Sequence, residues 1–424
     1  MAGRPRPAAV RGVRFVNVTW QRGPGRTRTG GRHDRSGRGR GLPFASAAYI
    51  LFVLTVGTNM PTPLYARYQA EFGFSPLVVT LVFAVYAGAL IPTALFGGAL
   101  TDSIGHRRVA GPAIALSVIA AVLFCCAQGV AWLFAARALQ GISVGAASGA
   151  LTAALVETEP SGDRARASVL ASAMITGGGG IGPILAGFLG EYAPWPLRLT
   201  YLAELTLLAL AAAAATQLPK AARRGAWRFN RPRIPAALRR PFALACAVSV
   251  LGWAVVALFL AMVPSYATAI LHRSDLLLAG TAGGMFLLFA AGTQYAVARV
   301  GIAARPTAGL LLLTIGLGTL AGAGGTRSLW LLLAAAACGG AGQGITFKAA
   351  LTKVNETAPQ ESRAEVLSAF YMITYFGVGL PVIGVGLLAA VTDLLTAVVT
   401  FSAVTAPACL VVAVKVRTTW TDAV

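Results

Sequence analysis

Among the ionisable side chains in or beside long apolar stretches, four stand out: Asp102, Arg137, Glu204 and Lys348. A charge in hydrocarbon is costly unless it is paired or hydrogen-bonded, so such residues carry protons, hold ion pairs or gate a pathway. Arg137 falls about six residues into its stretch, near the outer third of a bilayer. There it either snorkels to the interface or serves a function that needs a fixed positive charge in the membrane. Glu204 is placed to face Arg137 or Arg198 and is the candidate proton carrier. Lys348 sits near a boundary and reads as a snorkelling lysine. Enzymatic chemistry finds no constellation. His33, His106 and His272 are scattered, no G-x-x-x-x-G-K loop occurs, and no acid pair sits in a soluble domain. The chain reads as a non-enzyme that needs no metal or other cofactor and draws on a proton gradient.

The elements that must position these residues are helices in lipid. The chain is 56% hydrophobic and 12% charged, with a mean hydropathy of +0.71, against about 25% charged residues in soluble domains. Runs near the ~20 residues needed to cross a bilayer fall at 44–63, 76–100, 109–129, 131–156, 167–190 and 196–217, then at 242–264, 276–298, 306–324, 328–350, 365–388 and 392–414. These predict an all-α membrane protein of twelve transmembrane helices in two six-helix bundles. The bundles are expected over 43–217 and 242–415, joined by a basic linker at 218–241 and followed by a tail at 416–424.

The net charge of +21 is concentrated. Residues 1–42 hold eleven arginines and one acid, and 217–240 hold eight Lys or Arg and no acid. Basic blocks beside apolar helices orient a membrane protein, so both termini are expected in the cytoplasm of a bacterial plasma membrane, and no nucleic-acid partner is implied. The extension 1–42 lacks periodicity and predicts disorder. It is either a tether to anionic lipid or a stretch ahead of the true start. Cys125, Cys126, Cys246, Cys338 and Cys409 lie in apolar runs without metal-ligand spacing and read as packing residues.

The two halves repeat. Val156-Glu157-Thr158-Glu159-Pro160 recurs as Asn355-Glu356-Thr357-Ala358-Pro359, Met174-Ile175-Thr176 as Met372-Ile373-Thr374, and Pro183 as Pro381. Duplicated six-helix units place a substrate site between them near the midplane. Gly98-Ala99-Leu100-Thr101-Asp102-Ser103-Ile104-Gly105-His106-Arg107-Arg108 resembles the signature loop of the major facilitator superfamily, G-x-L-a-D-r-x-G-r-k, departing from it at Ser103 and mildly at His106. The resemblance implies a cytoplasmic gate in which Gly98, Asp102, Gly105, Arg107 and Arg108 steady the outward-facing state. The second half, with Ala298-Arg299-Val300-Gly301 at the matching place, has no equivalent acid.

Arg137-Ala138-Leu139-Gln140-Gly141-Ile142-Ser143-Val144-Gly145 resembles the same family's R-x-x-q-G-x-g string, which implies a coupling role for Arg137, Gln140 and Gly141 with Glu204. Gly141 and Gly145 also offer a smooth face for a neighbouring helix. Gly178-x-x-x-Gly182-Pro183, followed by Gly187, resembles the motif of the drug and proton antiporter branch; Ala186 stands where a last glycine is usual. Glycines permit close approach and proline removes one backbone bond.

Polar and aromatic residues nominated for the cavity are Asn59, Tyr65, Gln140, Ser143, Thr176, Trp253, Gln343, Tyr371 and Tyr375. The expected function is proton-coupled export of small apolar or weakly polar compounds by alternating access, by a monomer in the lipid bilayer. The alternatives are a proton symporter importing a sugar or other metabolite, and a non-transporting receptor or scaffold.

Overall fold

A computed structural model of the chain describes residues 36–219, 238–271, 275–300, 304–359 and 362–421, with the side chains at 36–40, 95–103, 165, 270, 271, 364 and 421 outside the description. The expectations for 1–35, for most of the linker and for the side chains of Gly98 and Asp102 therefore lie outside the described residues. Among the described residues every regular element is a helix: α1 Ser36–Asn59, α2 Pro61–Phe72, α3 Pro76–Ile104, α4 His106–Cys125, α5 Val130–Thr158, α6 Arg164–Tyr192, α7 Pro196–Ala215, α8 Arg239–Ala261, α9 Val263–Leu271, α10 Leu276–Val300, α11 Pro306–Thr326, α12 Leu329–Thr357, α13 Arg363–Val391 and α14 Leu394–Thr421. Among the described residues, twelve stretches are long and apolar enough to cross a membrane, α1 and α2 together forming the first. The chain is a multi-pass membrane protein.

Boundaries differ from the sequence reading at both ends of the chain, and α14 runs to Thr421, through most of the tail expected at 416–424. α1 begins at Ser36, inside the stretch expected to be disordered, and the first span continues through α2 to Phe72. Its interruption at Met60 has a local cause. Pro61 and Pro63 have no N–H to donate and their rings crowd the preceding turn, so the helix breaks and restarts with Pro61 at its first position.

The bundles repeat each other in packing as well as in sequence. In the first, α5 lies on α3: a methyl at Gly141 would overlap the Tyr86 carbonyl, and one at Gly145 the Thr93 hydroxyl. In the second, α12 lies on α10, where Gly340 and Gly344 meet the Phe286 carbonyl and the Thr293 hydroxyl in the same way. Thr93 and Thr293 each also donate across the pair, to the Gly141 and Ala341 carbonyls. Small residues let helices approach to backbone contact, which is how packing is gained where lipid offers no hydrophobic gradient.

The bundles meet along two equivalent pairs, α6 on α10 and α13 on α3. On the first, added methyls at Gly180, Gly280 and Gly187 would strike the Gly284, Pro183 and Leu276 carbonyls respectively. On the second, Gly386 abuts Thr80. Glu191 Oε2 completes the first pair by accepting from the Leu276 N–H, the first of α10, at 2.8 Å, a donor with no partner inside its own helix.

Candidate functional site

Pro61 and Pro183 each leave a carbonyl one turn earlier without its helical donor, Gly57 O and Gly179 O. Side chains from other helices fill both positions. Gln140 Nε2 on α5 donates to Gly57 O at 3.0 Å, and Asn59 Nδ2 on α1 donates to Gly179 O at 3.2 Å. Arg137, one turn before Gln140, donates through Nη1 to the neighbouring Thr58 carbonyl and to Gln140 Oε1 at 3.1 Å. The break in α1 thus supplies the acceptors that make a buried arginine tolerable.

Arg137 is fully buried, so it does not snorkel. Its guanidinium lies 5.0 Å from the ring centre of Tyr86, 5.5 Å from Phe83 and 5.8 Å from Tyr65, an aromatic cage that suits a cation. Glu204 on α7 is equally sealed, at 2% exposure, and presses on Gly57 so closely that a methyl there would overlap its Oε1. Arg137 reaches the adjoining residue, Thr58, through its carbonyl. No direct ion pair closes between them: Glu204 Oε2 and Arg137 Nε and Nη2 have no hydrogen-bond partner among the described residues. A cation, a carboxylate, the proline-freed Gly57 carbonyl and the Thr58 carbonyl therefore share one buried site.

Beside this site, between the bundles, lies a cavity of about 1100 Å³. Thr55, Thr58 and Asn59 of α1 and Phe83, Tyr86 and Leu90 of α3 form part of its wall. Facing them are Trp253, Tyr371 and Tyr375, with Trp253 edge-on to Phe347 at 5.6 Å. At one end the cavity reaches His106, the half-exposed Glu157 and the exposed Arg164. His106 Nε2 meets Glu157 Oε2 at 3.0 Å. His106 opens α4 directly after Gly105, whose φ of 88° and ψ of 156° favour glycine. Arg107 is half-buried and Arg108 exposed on the following turn.

Next to that mouth, Glu159 orders the α5–α6 loop. It accepts from Ser161 Oγ and the Asp163 N–H at 2.8 Å and lies 3.6 Å from Arg166. Burial pushes its carboxyl up, but the hydrogen bonds from Ser161 and Asp163, with the Arg166 charge, outweigh it and hold the group below its usual value.

Of the nominated cavity residues, Asn59, Thr176, Trp253, Tyr371 and Tyr375 line the wall. Four do not. Tyr65 belongs to the arginine cage and Gln140 is spent on Gly57 O. Ser143 is buried on Ser117 Oγ and the Ala113 carbonyl, at 2.8 and 2.7 Å. Gln343 is buried against Gly252. Each is polar in a largely apolar span, which marks burial as readily as exposure to a cavity. The sequence reading missed Tyr86, Ser148 and Thr152. The signal was the small or polar stripe Val144, Ser148, Thr152, Val156, spaced at i, i+4 along α5 and lining the cavity throughout. The antiporter-type motif packs on two helices. Gly178 and Gly182 abut the Phe52 and Val56 carbonyls of α1, while Gly187 abuts α10. Lys348 is half-buried on α12.

Comparison with known proteins agrees with this architecture. The chain is 34% identical over 174 residues to the puromycin resistance protein pur8 of Streptomyces alboniger, a match covering 40% of this chain and 34% of that protein. It is 30% identical over 172 residues to the cephamycin export protein CmcT of Amycolatopsis lactamdurans, covering 40% and 35%. Against the quinolone resistance protein NorA of Staphylococcus aureus it is 24% identical over 141 residues, covering 33% and 36%. The matched part thus spans about a third of each relative's length. A solved structure of the nucleoside transporter NupG, 15% identical, superposes with a TM-score of 0.66 over 87% of this chain and 99% of that one, which shows the shared fold. The family model for the Major Facilitator Superfamily matches residues 47–382, and the chain belongs to that superfamily of membrane transporters.

Proposed function

We propose that the protein exports small apolar or weakly polar compounds in exchange for protons, by alternating access, as a monomer in the plasma membrane with both termini cytoplasmic. The observation that carries this reading is the cavity between the bundles, walled by apolar and aromatic side chains, beside a buried acid and arginine that do not line it. Solute and proton then have separate places that share a wall at Gly57-Thr58-Asn59. Arg137, Gln140, Gly141 and Glu204 form the coupling site, with Glu204 the group that takes the proton. Gly98, Asp102, Gly105, Arg107 and Arg108 form the inner gate. Gly178, Gly182, Pro183 and Gly187 form the face on which the bundles rock.

The resistance and export named for pur8 and CmcT support the outward direction. The excess of Lys and Arg at the end that carries the α3–α4 turn supports the orientation. Reconstitution in liposomes with an imposed pH gradient and a panel of aromatic solutes tests the reading. Solute flux opposite to proton flow, abolished by dissipating the gradient, is expected; flux in the same direction as protons, or none, rejects it.

A further inference from the structure

The cavity wall has a distribution of charge that bears on what it admits. Among the described lining residues, the ionisable groups other than the tyrosines are His106, Glu157 and Arg164, all at the mouth. From Ser148 and Thr152 inward to the closed end near Leu260 and Leu287 the described wall is uncharged. The nearest acid in depth, Glu204, is sealed behind Gly57 and does not reach the cavity. The nearest cation, Arg137, lies directly behind two wall rings, Tyr86 and Phe83, at 5.0 and 5.5 Å from their centres.

A permanently cationic solute entering this chamber would lose its hydration, meet no carboxylate and approach a guanidinium already resting on two of the rings it would use. An uncharged planar solute meets neither penalty. It can stack against Trp253, Tyr371 and Tyr375 and be met by the hydroxyl and amide groups of Thr58, Asn59 and Thr176.

We infer that the cavity selects uncharged, planar aromatic compounds and excludes lipophilic cations of the same shape, through the absence of acid from its inner wall and the arginine behind it. This rests on the transport reading for its cavity but not on the direction or coupling of transport. Gly149 is the position from which the selectivity can be reversed. It lines the cavity on α5, and a Cβ built there meets nothing within 4 Å.

The test is equilibrium binding to the full chain in nanodiscs, using phenanthridine and its permanent cation N-methylphenanthridinium. Phenanthridine is expected to bind at least about tenfold more tightly, the order of effect that an unscreened like charge in a partly dry site produces. Gly149→Asp should erase that ratio or invert it, and Gly149→Asn should preserve it. Ser148→Asp, on the same wall, provides a second acid should the first variant not fold. Equal or tighter binding of the cation to the unaltered chain, or binding of neither compound, overturns the inference. Selective binding without proton-linked flux would instead overturn the exporter reading and leave this one standing.

Discussion

Asn59 Nδ2 donates to the Gly179 carbonyl at 3.2 Å, the carbonyl that Pro183 leaves without a donor. The proline that bends α6 therefore makes an asparagine on α1 structurally necessary, although the same asparagine also faces the cavity. Leaving a buried carbonyl unpaired costs about 1–3 kcal/mol, so Asn59→Ala should destabilise the protein by about that much. In a Pro183→Ala background a helical N–H reclaims Gly179 O, and Asn59→Ala should then cost about 1 kcal/mol less. Unfolding measured across this double-mutant cycle checks the coupling; equal costs in both backgrounds would contradict it.

Arg137 and Glu204 make the second relationship. No ion pair closes between the two, but removing the cation leaves a buried carboxylate without compensation, a cost of about 1–3 kcal/mol. Arg137→Met should lower stability by about that amount and stop transport. Adding Glu204→Gln removes the stranded carboxylate and should restore part of the stability while transport stays absent. Thermal unfolding beside flux in proteoliposomes separates the two effects. A double variant no more stable than Arg137→Met would show that the acid does not depend on the arginine.

How far these sites could be read from sequence depends on what each residue needs. The twelve spans and the half-chain repeat were legible because hydrophobic length and ordered matches such as Pro183 with Pro381 depend on local sequence alone. The Arg137 string and the Gly178–Pro183 string were legible for the same reason. The partners of these residues were not, because they are supplied by distant helices. Nothing near Gln140 indicates that it will answer a carbonyl freed by Pro61, although the proline itself announces that one will be freed. Tyr65 was nominated for the cavity as a polar side chain near the outer end of the first span, where an interface aromatic is equally expected. The break at Met60 turned it inward onto Arg137 instead.

Glu159 predicts an acid-side dependence of stability. Its carboxyl is held below the ordinary value in the folded chain by Ser161, Asp163 and Arg166. A group with a depressed folded pKa adds stability that is fully present above its unfolded value, here near 4.5, and lost as pH falls through the folded value. Glu159→Gln should therefore lower the unfolding temperature at pH 7 and make little difference once pH has fallen well below that range. Unfolding curves recorded from pH 7 down to the acid limit check it. A constant difference between the two proteins at all pH values would show that the carboxylate's charge is not involved.

The contact between α6 and α10 predicts a difference between two glycines on one helix. Gly280 lies against the Pro183 carbonyl with no room for a methyl, whereas Gly292, three turns on, has nothing within 4 Å of a Cβ. Both substitutions to valine carry similar propensity effects within the same helix, so packing alone separates them. Gly280→Val must push α10 off α6 by forcing side chain into backbone, an overpacking cost of about 1–3 kcal/mol. It should also disturb the nearby contact between Glu191 and the start of α10, because both hold the same two helices together at the end opposite the His106–Glu157 mouth. Transport should fall sharply for Gly280→Val and remain near normal for Gly292→Val at equal protein levels. A cysteine pair placed across the α6–α10 contact should cross-link readily in the unaltered chain and poorly in Gly280→Val. Equal cross-linking in the two would mean that the glycine contact does not set the approach of the bundles.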